Sequence, residues 1–252
     1  MAVNREKIIY LSPLALLTVS ACGGDTAASL ISNTVSGNVV KGPLSNAIVF
    51  LDLNSNGIQD GNETAVRTDA NGKFSISTTA TDYKIVAYTD DSTVDTSSGS
   101  VLSGITLSAP KNAAVITPTT TLMEEGGLTA AQVAEVLNLP DDIDPLSFNP
   151  FAEGVDATKA LAVEKISQQI MTAINSFAAA AEGAGVNETG AFEAALNSVV
   201  DVVKVKAGKL NDAGVSTADK TIDFTKASDL NLIKVKIADE AEKIIAEGGA
   251  HG

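Results

Sequence analysis

Apolar residues change their spacing along this chain, and the change divides it. Up to about residue 118 they fall at the short intervals of β-strands; beyond it they recur three or four residues apart, as on helix faces. Val35 and Val39 share one face of a first predicted strand, which a Gly42-Pro43 turn follows. Residues 47–51 form an unbroken apolar run with two β-branched residues and Phe50, the pattern of a strand buried on both faces, and this run feeds directly into Asp52. Phe74 and Ile76 alternate after Asn71-Gly72, a dipeptide suited to the positive φ angles of a hairpin turn. Further strands are predicted over 83–89, 104–107 and 113–116. Short strands separated by turn residues at these intervals predict a β-sandwich over residues 34–118.

The rest, residues 119–252, reads as an α-helical domain. Thr129 and Gln132 form a capping box, with Leu128 and Val133 placed as a hydrophobic staple, so a short helix begins there and stops by Pro140. Asp144-Pro145 and Asn149-Pro150 mark a pair of turns. Val163, Ile166, Ile170, Ile174 and Phe177 form the stripe of a long helix closed by Gly183 and Gly185. Two further stripes run through Phe192, Leu196, Val199 and Val203, and through Leu230, Ile233, Ile237, Ala241 and Ile244. Three stripes need burial, and a small antiparallel bundle, packed on itself or against the sandwich, supplies it. The fold class is therefore α+β, an antiparallel β-sandwich followed by a helical bundle.

Candidate chemistry is concentrated just after the buried strand. Asp52-Leu53-Asn54-Ser55-Asn56-Gly57-Ile58-Gln59-Asp60-Gly61-Asn62-Glu63 places oxygen ligands and a glycine where a twelve-residue calcium loop needs them. In that pattern Asp52, Asn54 and Asn56 offer side-chain oxygens at positions 1, 3 and 5. Ile58 offers its carbonyl at 7, Asp60 stands at 9, and Glu63 is the bidentate ligand at 12. Gly57 occupies position 6, where the chain turns sharply. The plainer alternative is a polar surface turn, which Asn, Asp and Gly also favour. Asp90, Asp91 and Asp95 are a candidate second site, although their spacing follows no loop rule.

The N-terminus resembles a bacterial lipoprotein leader. Arg5 and Lys7 precede an apolar run from Ile8 to Val19, too short to span a bilayer, and Val19-Ser20-Ala21-Cys22 is similar to a lipobox. Cys22 is the only cysteine, and lipidation explains a lone thiol in an exported chain better than a reactive or buried one does. Residues 1–21 are thus expected to be a signal peptide, Cys22 the lipidated residue, and residues 22–33 a tether to the membrane. Gly23 and Gly24 after the cysteine resemble lipoproteins sent on to an outer membrane or the cell surface.

The succession Gly37-Asn38-Val39, Gly42-Pro43-Leu44, Ala47-Ile48-Val49-Phe50, the Asp52 loop and Thr68-Asp69-Ala70-Asn71-Gly72-Lys73-Phe74 resembles the carboxypeptidase regulatory-like and staphylococcal serine-aspartate-repeat B-type modules. The likeness spans residues 35–90. It implies a prealbumin-like sandwich, calcium on Asp52, Asn54, Asn56, Ile58, Asp60 and Glu63, a structural hairpin over 68–74, and a spacer or support role on a cell surface. The segment from Leu107 to Leu122 resembles the junction that follows such modules in large bacterial surface proteins.

Composition removes several function classes. A formal net charge of −14 disfavours nucleic acid as a partner. The single histidine, His251, stands one residue from the end, which removes histidine triads, acid–base pairs and zinc clusters. Neither a phosphate-binding G-x-x-x-x-G-K-[ST] nor a G-x-G-x-x-G segment occurs. Adjacent acids such as Glu124-Glu125 and Asp141-Asp142 read as solvated faces, so no enzyme is expected. Aromatic residues make up only 4% of the chain, without tryptophan, which lowers a lectin-like reading. The expected function is a lipid-anchored, calcium-stabilised cell-envelope protein with a structural or adhesive role. The alternatives are a calcium-dependent self-assembling subunit of a filament, tube or surface lattice, and a glycan or small-ligand binding protein.

Overall fold

A computed structural model of the chain describes residues 32–246, which belong to one compact unit beginning at Ser32. Cys22, the apolar leader, most of the tether and His251 lie outside the described residues. The strands are β1 (Asn33–Val39), β2 (Leu44–Ser45), β3 (Ile48–Asp52), β4 (Ala65–Arg67), β5 (Lys73–Thr78), β6 (Lys84–Tyr88), β7 (Val94–Asp95), β8 (Ser100–Val101), β9 (Thr106–Pro110) and β10 (Val115–Ile116). The helices are α1 (Pro118–Gly126), α2 (Ala130–Val136), α3 (Ala157–Gly183), α4 (Glu188–Gly208), α5 (Thr217–Lys220) and α6 (Ala227–Ala246). The protein is thus mixed α+β, strands first and helices after, as the apolar spacing predicts. The strands form three sheets, ordered β10-β1-β5, β2-β7-β8 and β4-β3-β6-β9.

The four-stranded sheet is covered on both faces, which accounts for the unbroken apolar run in β3. Val49, Leu51, Ile85, Ala87, Leu107 and Ala109 are buried in one cluster with Val35, Val39, Phe74 and Ile76 of the β1 sheet. Side chains alternate along a strand, so the intervening residues face the other way. Register sets Phe50 beside Val86 and Val86 beside Ser108, with Asp52 opposite Lys84 one step further along the same face. Helix α1 packs along the edge strand β9 of this sheet. The Ser108 N–H donates to Thr121 Oγ1 at 3.0 Å, Thr120 Oγ1 donates to the Ser108 carbonyl at 3.0 Å, and Ser108 Oγ donates to Glu125 Oε1 at 2.7 Å.

One local feature departs from the pattern-based expectation, and a second goes against local propensity. The Asn71-Gly72 turn does not join paired strands, because β4 pairs with β3 while β5 pairs with β1. It carries the chain between sheets, held by Asp69 Oδ1, which accepts from the N–H groups of Asn71 (2.8 Å) and Lys73 (2.9 Å). Gly72 has φ +73°, and a Cβ there would lie 2.5 Å from the Val39 carbonyl oxygen. The second is helix α1, which falls within the stretch read as helical although Thr119, Thr120 and Thr121 favour strands. Pro118 at its first turn and a reciprocal Thr117–Thr120 capping box start it, and the bonds to Ser108 hold it.

The three predicted stripes fall on α3, α4 and α6. Ile170, Ile174, Leu196, Val199, Val203, Ile233, Ile237 and Ala241 are buried in the same cluster as the sheet residues, so the core is continuous from strands to helices. Ion pairs Lys206–Asp229 (3.1 Å) and Lys236–Asp201 (3.4 Å) set α4 and α6 in opposite directions. No helix among the described residues is long and apolar enough to cross a membrane.

The Lys206–Asp229 pair is buried, and each partner makes one further hydrogen bond. Lys206 Nζ donates to the Ala218 carbonyl at 3.2 Å and Asp229 Oδ2 accepts the Asp223 N–H at 2.9 Å. Removing one partner leaves an uncompensated charge. Asp229→Ala is expected to lower the free energy of unfolding in urea by about 3 kcal/mol or more. The double change Lys206→Met with Asp229→Leu is expected to recover most of that loss.

Candidate calcium loop

Strand β3 delivers Asp52 to the end of the covered face with its carboxylate out of solvent, and the next residues turn back around it. Asp52 Oδ2 accepts the Gly57 N–H at 2.8 Å, and Oδ1 accepts the Asn54 N–H at 3.2 Å. Asn54 Oδ1 accepts the Asn56 N–H at 3.1 Å and Asn56 Oδ1 the Ile58 N–H at 2.8 Å, so three successive Asx turns wind the loop. Ser55 and Gly57 take positive φ values of +61° and +75°. No atom lies within 4 Å of a Cβ built on Gly57, so its glycine meets a backbone requirement, not a lack of space.

Glu63 closes the loop from its far end. It is 5% exposed, and its two oxygens accept from the N–H groups of Leu53 (2.7 Å) and Asp60 (3.0 Å). The side-chain amides of Asn54 and Asn56 both donate to Asp60 Oδ2, at 2.8 and 3.0 Å. Asp52, Asn54, Asn56, Asp60 and Glu63 are therefore joined in one hydrogen-bonded mesh. The Ile58 side chain points to solvent, 67% exposed.

The donor set suits a hard cation, being oxygen throughout with three carboxylates and two amides. Among the described residues no three His, Cys, Asp or Glu side chains are gathered as a preformed cage. In this geometry backbone N–H groups hold the Asp52 and Glu63 carboxylates. A carboxylate offers about four acceptor positions, so two such bonds each leave room for a flexible, oxygen-seeking ion such as calcium.

Pattern reading gave no sign of the polar groups behind the loop. Lys84 Nζ lies 3.7 Å from Asp52 Oδ2 and 3.6 Å from Glu125 Oε1, with its side chain 12% exposed. Glu125 in turn holds Ser108, whose backbone binds Thr120 and Thr121. A row of polar residues thus runs from the loop to the start of α1. In the sequence the row shows as the Thr117-Pro118-Thr119-Thr120-Thr121 run. A cleft of about 740 Å³ lies beside the row, lined by loop residues 55–59, Lys84, Tyr88, Glu125 and, from α4, Glu188, Phe192 and Glu193.

The second acidic group does not converge. Asp90 pairs with the Arg67 guanidinium at 2.7 Å, and that bond, followed by those from Ser92, holds its carboxyl far below the usual range. Asp95 is buried and serves its own turn, accepting from the Ser97 N–H (2.9 Å) and Ser97 Oγ (2.6 Å), with Lys41 at 3.9 Å. Asp91 is exposed.

No family model, curated protein or solved structure matches this chain.

Burial, and after it the charge of the adjacent Glu125, push the Glu124 carboxyl above its ordinary value. Its ionisation therefore opposes folding. The cost is absent below the unfolded pKa and complete once the pH has risen through the folded one. Glu124→Gln is expected to raise the urea midpoint over wild type near neutral pH, with the gain vanishing below the ordinary value of 4.5. An equal gain at both pH values would exclude the titration as its cause.

Proposed function

We propose that the chain is a lipid-anchored cell-envelope protein whose N-terminal part is a prealbumin-like β-sandwich stapled by calcium, with a structural or adhesive role. Asp52, Asn54, Asn56, Asp60, Glu63 and the Ile58 carbonyl would hold the ion, and Cys22 would carry the lipid. One observation supports this reading above the others. Asp52 is fully buried at the end of a central strand, and the loop that wraps it brings the other carboxylates and amides of the pattern into one mesh. A plain surface turn has no need to bury two carboxylates, because charged groups leave water only at a cost.

Calcium, when bound, supplies positive charge to Asp52, Asp60 and Glu63. The chain's own residues do the rest: Gly57 and the Asx turns set the curvature, and Glu63 ties the loop's end to its beginning through Leu53. The ligand set corresponds to modest affinity, with Kd about 10⁻⁴ to 10⁻³ M as for extracellular modules. A site of that strength is filled outside cells and acts as a folding staple. The lone cysteine after a short apolar run supports the anchor, and the acidic surface is consistent with a role that does not involve nucleic acid.

Calorimetric titration of the chain from Gly23, which retains the whole unit beginning at Ser32, is expected to show saturable calcium binding and a higher Tm in calcium than in chelator. Asp60→Ala is expected to abolish the calcium-dependent rise with little change in chelator. Glu63→Ala is expected to abolish it and also to lower Tm in chelator, because Leu53 and Asp60 lose their acceptors. Absence of saturable binding at millimolar calcium would refute the reading.

A further inference from the structure

We propose that Lys84 is the resident counter-cation of the loop, shared between Asp52 and Glu125, and that filling the loop with calcium transfers it to Glu125. Loop occupancy and the seating of α1 are then one linked equilibrium. This inference rests on the calcium reading above.

Asp52 and Lys84 sit on one face of one sheet, and Glu125 reaches them from α1. Asp52 and Lys84 are opposite each other in the β3–β6 register, and Glu125 is in the last turn of α1. The ammonium lies 3.7 Å from the loop carboxylate and 3.6 Å from the helix carboxylate, a balanced position between two partners. It is the cation that offsets the buried Asp52 charge. A divalent ion on Asp52 removes that attraction and repels the ammonium at short range, whereas Glu125 keeps its charge. Glu125 also accepts from Ser108 Oγ at 2.7 Å, and Ser108 is bonded through its backbone to Thr120 and Thr121. A tighter Lys84–Glu125 pair therefore fixes the end of α1 against β9. Linkage is reciprocal, so what holds Lys84 on Glu125 must favour calcium in the loop, and what returns it to Asp52 must oppose it.

Lys84 is a positioning residue in this scheme, and its signature is non-additivity. Calcium isotherms on the chain from Gly23 are compared for wild type, Lys84→Gln, Glu125→Gln and the double variant, with Lys84→Met as a second neutral replacement that keeps the apolar stem. Loss of the competing ammonium is expected to tighten calcium binding by about fivefold, and Glu125→Gln to weaken it by about the same factor. In the Lys84→Gln background, Glu125→Gln is expected to change nothing, because its effect passes through the missing ammonium. Calcium is also expected to slow hydrogen exchange of α1 amides in wild type and to leave them unchanged in either Lys84 variant. Calcium binding with additive effects, or α1 exchange that ignores calcium in wild type, overturns the linkage and leaves the loop reading intact. No calcium binding in wild type or any variant overturns both.

Discussion

The organisation of the sheet depends on the burial of the Asp52 carboxylate. A charge removed from water at the end of a central strand must be offset where it lies, since desolvating an unpaired ion costs several kcal/mol. Offsets reach Asp52 from two directions. Backbone N–H groups come from its own loop, which is why that loop winds through Asx turns and a left-handed glycine. An ammonium comes from the neighbouring strand, which is why Lys84 stands opposite it and not an apolar residue. Neither a shift of register nor a straighter loop would satisfy the carboxylate.

The same requirement extends into the helices. Lys84 stands between Asp52 of the loop and Glu125 of α1, and Glu125 brings α1 onto Ser108. Helix α1 thereby packs along β9, and the core continues without a break into α3, α4 and α6. A second buried pair, Lys206–Asp229, fixes the far helices in the same way. Strands and helices are therefore joined by packed apolar surface with a few charge pairs placed inside it, so a change at the loop has a route to the helical half.

Features set by local spacing were legible in the sequence. The buried strand ending at Asp52, the Thr129–Gln132 capping box and the stripes of α3, α4 and α6 depend on residues a few positions apart, and they appear where the periodicities put them. The residues from Asp52 to Glu63 are joined by hydrogen bonds as neighbours in one loop for the same reason, lying within twelve consecutive positions. Lys84 and Glu125 were not legible, because their roles arise from register and from helix docking over long sequence separations. Helix α1 falls within the stretch read as helical, the strand preference of its threonines overridden by a capping box and by bonds to Ser108. The turn over 69–73 read as a hairpin because Asn-Gly reports a reversal of direction and not which strands the reversal joins. Asp90, Asp91 and Asp95 looked like a group in sequence, yet Arg67 and Lys41 draw two of them to different places.

The most direct measurement of the central claim is a crystal structure of the protein soaked in calcium, with anomalous differences used to locate the ion. The account predicts a peak in the loop, bound by Asp52, Asn54, Asn56, Asp60, Glu63 and the Ile58 carbonyl, with the Lys84 ammonium drawn away from Asp52 toward Glu125. An empty loop at millimolar calcium, with Asp52 held only by Gly57, Asn54 and Lys84, would contradict it.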